Sequence, residues 1–336
     1  MLIGLCTAIL LAGALYLAQS IVVPVTFALF VIALVWPMQR RLAARIPAGL
    51  AMLVTISAAL LTLVGMALLI AWGFGRVAQW VLANSAQIQA LYATKLAFLE
   101  AQGIAVAGLL GENFNARWLV RVAQEVTSQL HGILSFTIVT VVFLVLGLLE
   151  VGVVARQLAG MPGTVAPGVL RASAETAEKM RIYMLVRTLM SVVTGLCVWG
   201  FATVMGLDLA AEWGVIAFVL NYIPFIGPLV ATLFPTIFAV LQFESWQTAV
   251  VVFLCLNVIQ TVSGSYIEPL LTGARLAVSS FMVLLAVFFG AFLWGIPGAF
   301  IGVPVLIASL TLCQQFPASR WVADLLSGRD PARTPS

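Results

Sequence analysis

The chain has 336 residues, of which 63% are hydrophobic and only 8% charged, whereas a soluble domain carries roughly a quarter charged residues. Such a composition excludes water as the main solvent, because only a bilayer accepts apolar side chains on every outward face of a helix. The net charge of +4 comes from basic residues scattered through short loops, without the basic, aromatic-interleaved surface that would point to nucleic acid.

At roughly 20 apolar residues per crossing, this length fits about eight spans and one modest polar insert. The first apolar runs, 2–19 and 22–38, are separated only by Gln19-Ser20 and a kink-prone Pro24 and fit a tight hairpin. The first lacks a basic leading region and a cleavage site, so it reads as a retained span. Arg40, Arg41 and Arg45 follow, and a third run at 48–74 completes an amino-terminal membrane region, 1–74.

Segment 75–131 is the one long polar stretch. Val77, Val81, Ile88, Leu91, Trp118, Val122 and Val126 recur in it at three- and four-residue intervals, which predicts an amphipathic helical insert with a turn at 111–113. A span at 132–152 precedes a helical linker at 153–183 that carries Arg156, Arg171, Lys179 and Arg181. The region 184–315 is a second membrane core, made of runs at 184–206, 211–262 and 277–315, and 316–336 is a polar tail. The run at 211–262 breaks weakly at 242–245 and fits either simple spans or re-entrant hairpins. With the amino terminus in the cytoplasm, eleven of the sixteen basic residues fall on the cytoplasmic side, as Lys and Arg resist translocation. Both termini are then cytoplasmic and the insert is external.

No Gly-x-Ser-x-Gly elbow, P-loop, His-Glu-x-x-His or Gly-x-Gly-x-x-Gly occurs. Cys6, Cys197, Cys255 and Cys313 lie in apolar runs, and the one histidine, His131, cannot assemble a multi-histidine site. The expectation is a non-enzyme without cofactor or metal.

The informative residues interrupt helices that lipid would favour. Asn221-Tyr222-Ile223-Pro224-Phe225-Ile226-Gly227-Pro228 and Gly295-Ile296-Pro297-Gly298-Ala299-Phe300-Ile301-Gly302-Val303-Pro304 both set proline and glycine in mid-run. Proline removes a backbone donor and clashes one turn back, and an opened ladder in hydrocarbon costs several kcal/mol unless partners are supplied. Such breaks read either as packing kinks, with Gly298-x-x-x-Gly302 as a close contact, or as discontinuous helices that hold a solute or ion. Between them lies a polar stretch. Asn257, Thr261 and Gly264 share a helix face with Gln260 adjacent, and Glu268 is the strongest ionisable candidate. Its alternative is an interfacial carboxylate paired with Arg275. Tyr183 and Arg187, one turn apart at the start of a span, read as an anchor whose basic head snorkels.

These motifs carry a resemblance. From about 171 to 313 the chain resembles the autoinducer-2 exporter family, through the 221–228 element, then Ile267-Glu268-Pro269-Leu270-Leu271-x-Gly273, then the 295–304 element. The amino-terminal half matches only in layout. The resemblance implies a multi-pass bacterial inner-membrane permease of about eight helices that forms homo-oligomers. It also implies export of a signal of the autoinducer-2 type or, for some members, sodium or proton antiport.

The expected architecture is therefore all-α: a polytopic transmembrane helical bundle with two broken or re-entrant helices in its second half. The expected pathway for a small polar solute or monovalent cation is lined by Asn221, Pro224, Gly227, Pro228, Asn257, Gln260, Glu268, Pro269, Gly273, Gly295, Gly298, Gly302 and Pro304. The rivals are a cation/proton antiporter and a non-transporting scaffold that binds through its 75–131 insert.

Overall fold

The structure is a computed structural model and describes residues 2–90, 93–94, 116–161, 165–272, 279–317 and 319–326. Its elements are helices α1 (Leu2–Leu17), α2 (Gln19–Ala43), α3 (Ala48–Ala83), α4 (Ala116–Gly160), α5 (Val165–Val204), α6 (Ala210–Leu220), α7 (Ile226–Phe243) and α8 (Trp246–Thr261). A π-helical turn, Val262–Ile267, then leads to α9 (Glu268–Thr272), α10 (Ser280–Gln315) and α11 (Arg320–Leu326). Among the described residues seven helices are long and apolar enough to cross a membrane. An all-helical bundle follows from the solvent, because in hydrocarbon each backbone donor must find its acceptor within its own segment.

Several helix limits differ from the hydropathy reading. The third span continues to Ala83, well into the polar insert, and α4 starts at Ala116 and runs unbroken through the next span. Helix α5 is 40 residues long, about 60 Å, or twice the hydrocarbon thickness, so linker and span are one rod. The turn expected at 111–113 lies outside the described residues. No hairpin forms at Gln19-Ser20. Ala18 keeps a near-helical backbone (φ −90°, ψ 13°), and its carbonyl accepts from both Ile21 and Val22 at 3.0 and 2.9 Å. One perturbed residue bends a helix but cannot reverse it, so α1 continues α2 and projects with Leu10 and Leu17 exposed.

Reversals occur instead at the two proline-glycine breaks. Helix α6 has 11 residues, about 16 Å, too short to cross roughly 30 Å of hydrocarbon. The chain turns through 221–225, with Phe225 at φ 64°, and α7 returns beside α6. Trp213 meets Phe238 edge-on at 5.2 Å, and Gly227 abuts the Leu220 carbonyl. At the open end Gln242 ties the arms together, accepting from the Asp208 N–H and donating to the Gly206 carbonyl, both at 2.8 Å.

Helix α10 is likewise two arms. Trp294 (φ −134°, ψ 17°) and Gly295 (φ 62°, ψ −143°) leave helical geometry. A Cβ on Gly298 would strike the Gly290 carbonyl, and one on Gly302 would strike that of Ala286. Those pairings are symmetric about residue 294, so the arms 280–293 and 296–315 lie antiparallel in glycine-lined contact.

The two hairpins enter from opposite ends of α5. The base of the α6–α7 hairpin lies at Gly206, beyond the carboxyl end of α5. The second arm of α10 ends where Gln315 donates to Glu175 at 2.9 Å and Lys179 donates to Gln314 at 3.2 Å. They meet between these levels. The Tyr222 ring stacks on Phe300 at 5.5 Å, Phe300 stacks on Phe27 of α2 at 5.4 Å, and Ile223 shares a core with Val287, Ala299 and Val303. A separate apolar cluster, built on Val198, Trp213, Phe238 and Val252, clamps the first hairpin between α5 and α8.

Candidate functional site

Helix α5 carries Tyr183, Arg187, Ser191 and Thr194 at spacings that put them on one face, with the exposed Thr188 beside it. That face is turned into the bundle. Arg187 is only 7% exposed, so it does not snorkel, and Ser191 and Thr194 are fully buried. A guanidinium in such a place requires a counter-charge. Glu268 supplies it: Arg187 Nη1 donates to Glu268 Oε2 at 2.8 Å. The Arg187 head also lies 5.8 Å from the centre of the Tyr183 ring.

The π-helical turn delivers this carboxylate. A wider turn shifts helix phase by about one residue relative to an α-helix, and here it directly precedes Glu268 while burying Ser263. The Glu268 N–H bonds back to the Ser263 carbonyl, so α9 is continuous with the turn. Arg275, the alternative partner, lies outside the described residues.

One turn further along α5 the tip of the first hairpin docks. Tyr222 donates its hydroxyl to Thr188 Oγ1 at 3.0 Å, and Asn221 Nδ2 donates to Ser191 Oγ at 3.3 Å. The turn leaves part of its backbone unspent. Carbonyls of Pro224 and Phe225 accept from Ile226 and Leu229, and that of Pro228 accepts from Thr232, whereas those of Asn221 and Tyr222 accept nothing among the described residues. The free acceptors are thus at 221–222 and not at 224–228.

Of the six buried side-chain polar atoms without a partner among the described residues, four lie on α5 and α8: Arg187 Nε, Tyr183 Oη, Thr194 Oγ1 and Gln260 Nε2. The other two are Gln39 Oε1 on α2 and Thr140 Oγ1 on α4. Gln260 continues the buried Val252 and Leu256 face of α8 by one turn. Buried polar atoms are rarely left so without water or ligand to meet them.

The structure thus gathers Asn221, Gln260 and Glu268 around α5, with Pro224, Gly227 and Pro228 shaping the first tip. Gly295 forms the second tip, Gly298 and Gly302 line its seam, and Pro304 is buried in the returning arm. Asn257, expected to face inward, is exposed together with Thr261 and Gly264, so the inward polar face is that of Gln260 and Ser263. Pro269 contributes its backbone to α9, and Gly273 lies outside the described residues. Hydropathy reads Arg187 as a snorkelling anchor and misses Thr188 and Ser191, although the four-residue spacing of Arg187 and Ser191 was an available signal. Glu212 is 6% exposed and accepts from Arg76 Nε at 3.2 Å, docking α6 on α3.

Comparison with known proteins agrees with this layout. The chain matches the profile of the AI-2E family transporter over residues 5–318. It is 30% identical to the AI-2 transport protein TqsA of Escherichia coli strain K12 over 190 residues, 56% of this chain and 54% of that protein. A putative transport protein of Borreliella burgdorferi is 36% identical over 126 residues, 37% of this chain and 35% of that protein. The putative transport protein YhhT of Escherichia coli strain K12 is 32% identical over 154 residues, 46% and 44% of the two chains. The matched stretch thus spans about half of the first relative and less of the other two. With the profile covering nearly the whole chain and both broken-helix elements in place, this multi-pass membrane protein belongs to the AI-2E transporter family.

Proposed function

We propose that the protein is a permease of the bacterial inner membrane that moves a small polar solute along the seam between α5, the first hairpin tip and the π-helical turn. The observation that carries this reading is the pair of oppositely inserted hairpins. Their arms meet at Tyr222 and Phe300 beside a buried ion pair and several unpartnered polar atoms. Each hairpin is short enough to shift as a unit, and the groups at their meeting point can exchange internal partners for a solute.

Glu268 is already engaged by Arg187, which leaves the seam electrically balanced and favours a neutral polar cargo over a monovalent cation. A solute of the autoinducer-2 type, the cargo in the name of the relative TqsA, fits that description. Arg40, Arg41 and Arg45 at the end of α2, with Arg320 after α10, support a cytoplasmic carboxyl end of α2 and a cytoplasmic open end of α10, the first hairpin entering from outside. Because α1 continues α2 without a reversal, the amino terminus then lies on the side opposite Arg40, not in the cytoplasm. Asn257 and Thr261 present polar groups on the outer face of α8. Such groups are costly against lipid and support contact with a second copy of the chain.

The test is flux into and out of sealed proteoliposomes. Uptake of autoinducer-2 or another small neutral polar solute, without proton movement under a sodium gradient in its absence, supports the reading. Sodium-driven proton flux with no organic solute would instead establish the antiporter.

A further inference from the structure

An open cleft lies away from the seam and shares no residue with it. It measures about 300 Å³ and lies between the α1–α2 bend, α4 and the tip of α10. That volume is at the lower end of the range for small-molecule sites. Its polar lining is Gln19 and Ser20 at the bend and Ser135 on α4, and its apolar walls include Phe136, Trp294 and Pro297. Gln19, Ser20 and Ser135 are exposed and make no side-chain hydrogen bond among the described residues.

The aromatic walls are held in place. The Trp294 indole N–H donates to the Leu15 carbonyl at 3.1 Å, which fixes the ring, and Phe136 stands edge-on to Phe27 at 5.2 Å. Amphipathic walls of this kind present a rigid apolar face beside polar partners.

We propose that this cleft binds a small, neutral, hydroxyl-bearing solute, with its apolar face against Trp294 and its hydroxyls on Gln19, Ser20 and Ser135. The lining contains no charged side chain, so an ion would lose hydration without gaining a counter-charge. A lipid acyl chain would leave three polar side chains facing hydrocarbon. A polyol or sugar-like molecule satisfies both sets of walls. Because Trp294 and Pro297 belong to the turn of α10, such a solute touches the hairpin tip directly. The site is a receiving position at the tip, separate from the Arg187–Glu268 seam.

The experiment uses the full chain in detergent with D-ribose as the neutral probe and D-ribonate as its charged counterpart, followed by saturation-transfer NMR. Saturable ribose binding is expected, with ribonate weaker by about tenfold or more. Ser135→Phe fills the cleft from an exposed position and should weaken ribose binding by about tenfold or more, whereas Ser135→Thr retains it. Val139→Trp, also on the lining, serves if Ser135→Phe does not fold. Thr62→Ala, exposed on α3 and in neither site, should leave the signal unchanged, and Glu268→Gln reads any contribution of the seam. No saturable ribose binding, equal binding of ribonate, or a signal that follows Glu268→Gln and ignores both filling variants overturns the proposal. The last result would place ribose in the seam, and it leaves the proposed transport pathway intact.

Discussion

Arg187 and Glu268 offer the sharpest perturbation, since the fold places a guanidinium with a side chain 9% exposed against a carboxylate 24% exposed at 2.8 Å. At an effective dielectric constant of 20, unit charges at that separation attract by about 6 kcal/mol, most of it offset by desolvation. Removing one partner is different, because the survivor keeps its burial and loses its compensation, at roughly 3–5 kcal/mol. Glu268→Gln therefore should lower the apparent Tm of the detergent-purified protein by about 5–10 °C. Arg187→Met should cost less, because a solitary carboxyl can take up a proton whereas a guanidinium cannot shed one. The double variant Arg187→Met/Glu268→Gln should recover much of the loss, giving a coupling of about 2–3 kcal/mol in a double-mutant cycle. Thermal unfolding followed by intrinsic fluorescence reads all four proteins. Additive losses would refute the reasoning, because they would mean that the two charges do not meet in the folded protein.

Three further substitutions test the hairpins. Gly295→Ala has open space around its Cβ, but φ 62° and ψ −143° strain any L side chain. It should cost about 1–3 kcal/mol in thermal unfolding. Gly298→Ala meets the Gly290 carbonyl, a backbone atom that cannot swing aside. The arms must splay, at a cost of about 1–3 kcal/mol read in thermal unfolding; an unchanged Tm would show that the arms are not in contact there. Gln242→Leu removes both bonds that close the first hairpin. It should destabilise by about 1–2 kcal/mol and raise protease sensitivity near 206–210; an unchanged cleavage rate would show that Gln242 does not hold the base shut.

Membrane residence was legible at once, since composition alone rules out water as the solvent. Both breaks were legible too, because Pro224, Pro228, Pro297 and Gly295 cannot continue a regular helix. That the breaks reverse the chain was legible only as one of two alternatives, broken or re-entrant helices. Proline predicts an opened ladder, whereas a reversal depends on what the next segment packs against. Gly298-x-x-x-Gly302 announced a close helix contact correctly, yet its partner is the preceding arm of the same hairpin, at Ala286 and Gly290. Arg187 was misjudged for a related reason. Hydropathy places it at the start of an apolar run, where a basic side chain would snorkel, but α5 extends 22 residues before it, from Val165, and the first tip and the π-turn close over it. The outward position of Asn257 was illegible because two polar faces run side by side on α8. Only packing against α5 and α7 selects that of Gln260.

The central claim is that a small polar solute passes through the seam at Asn221 and Glu268. Counterflow in proteoliposomes tests it most directly: vesicles loaded with unlabelled autoinducer-2 should accumulate labelled autoinducer-2 transiently when the protein is present. Asn221→Leu, which removes the hydrogen bond to Ser191 and one polar group of the seam, should reduce the initial rate by about tenfold. Ser135→Thr, outside the seam, should leave it intact. Accumulation that is the same in Asn221→Leu as in the unaltered protein would contradict the account.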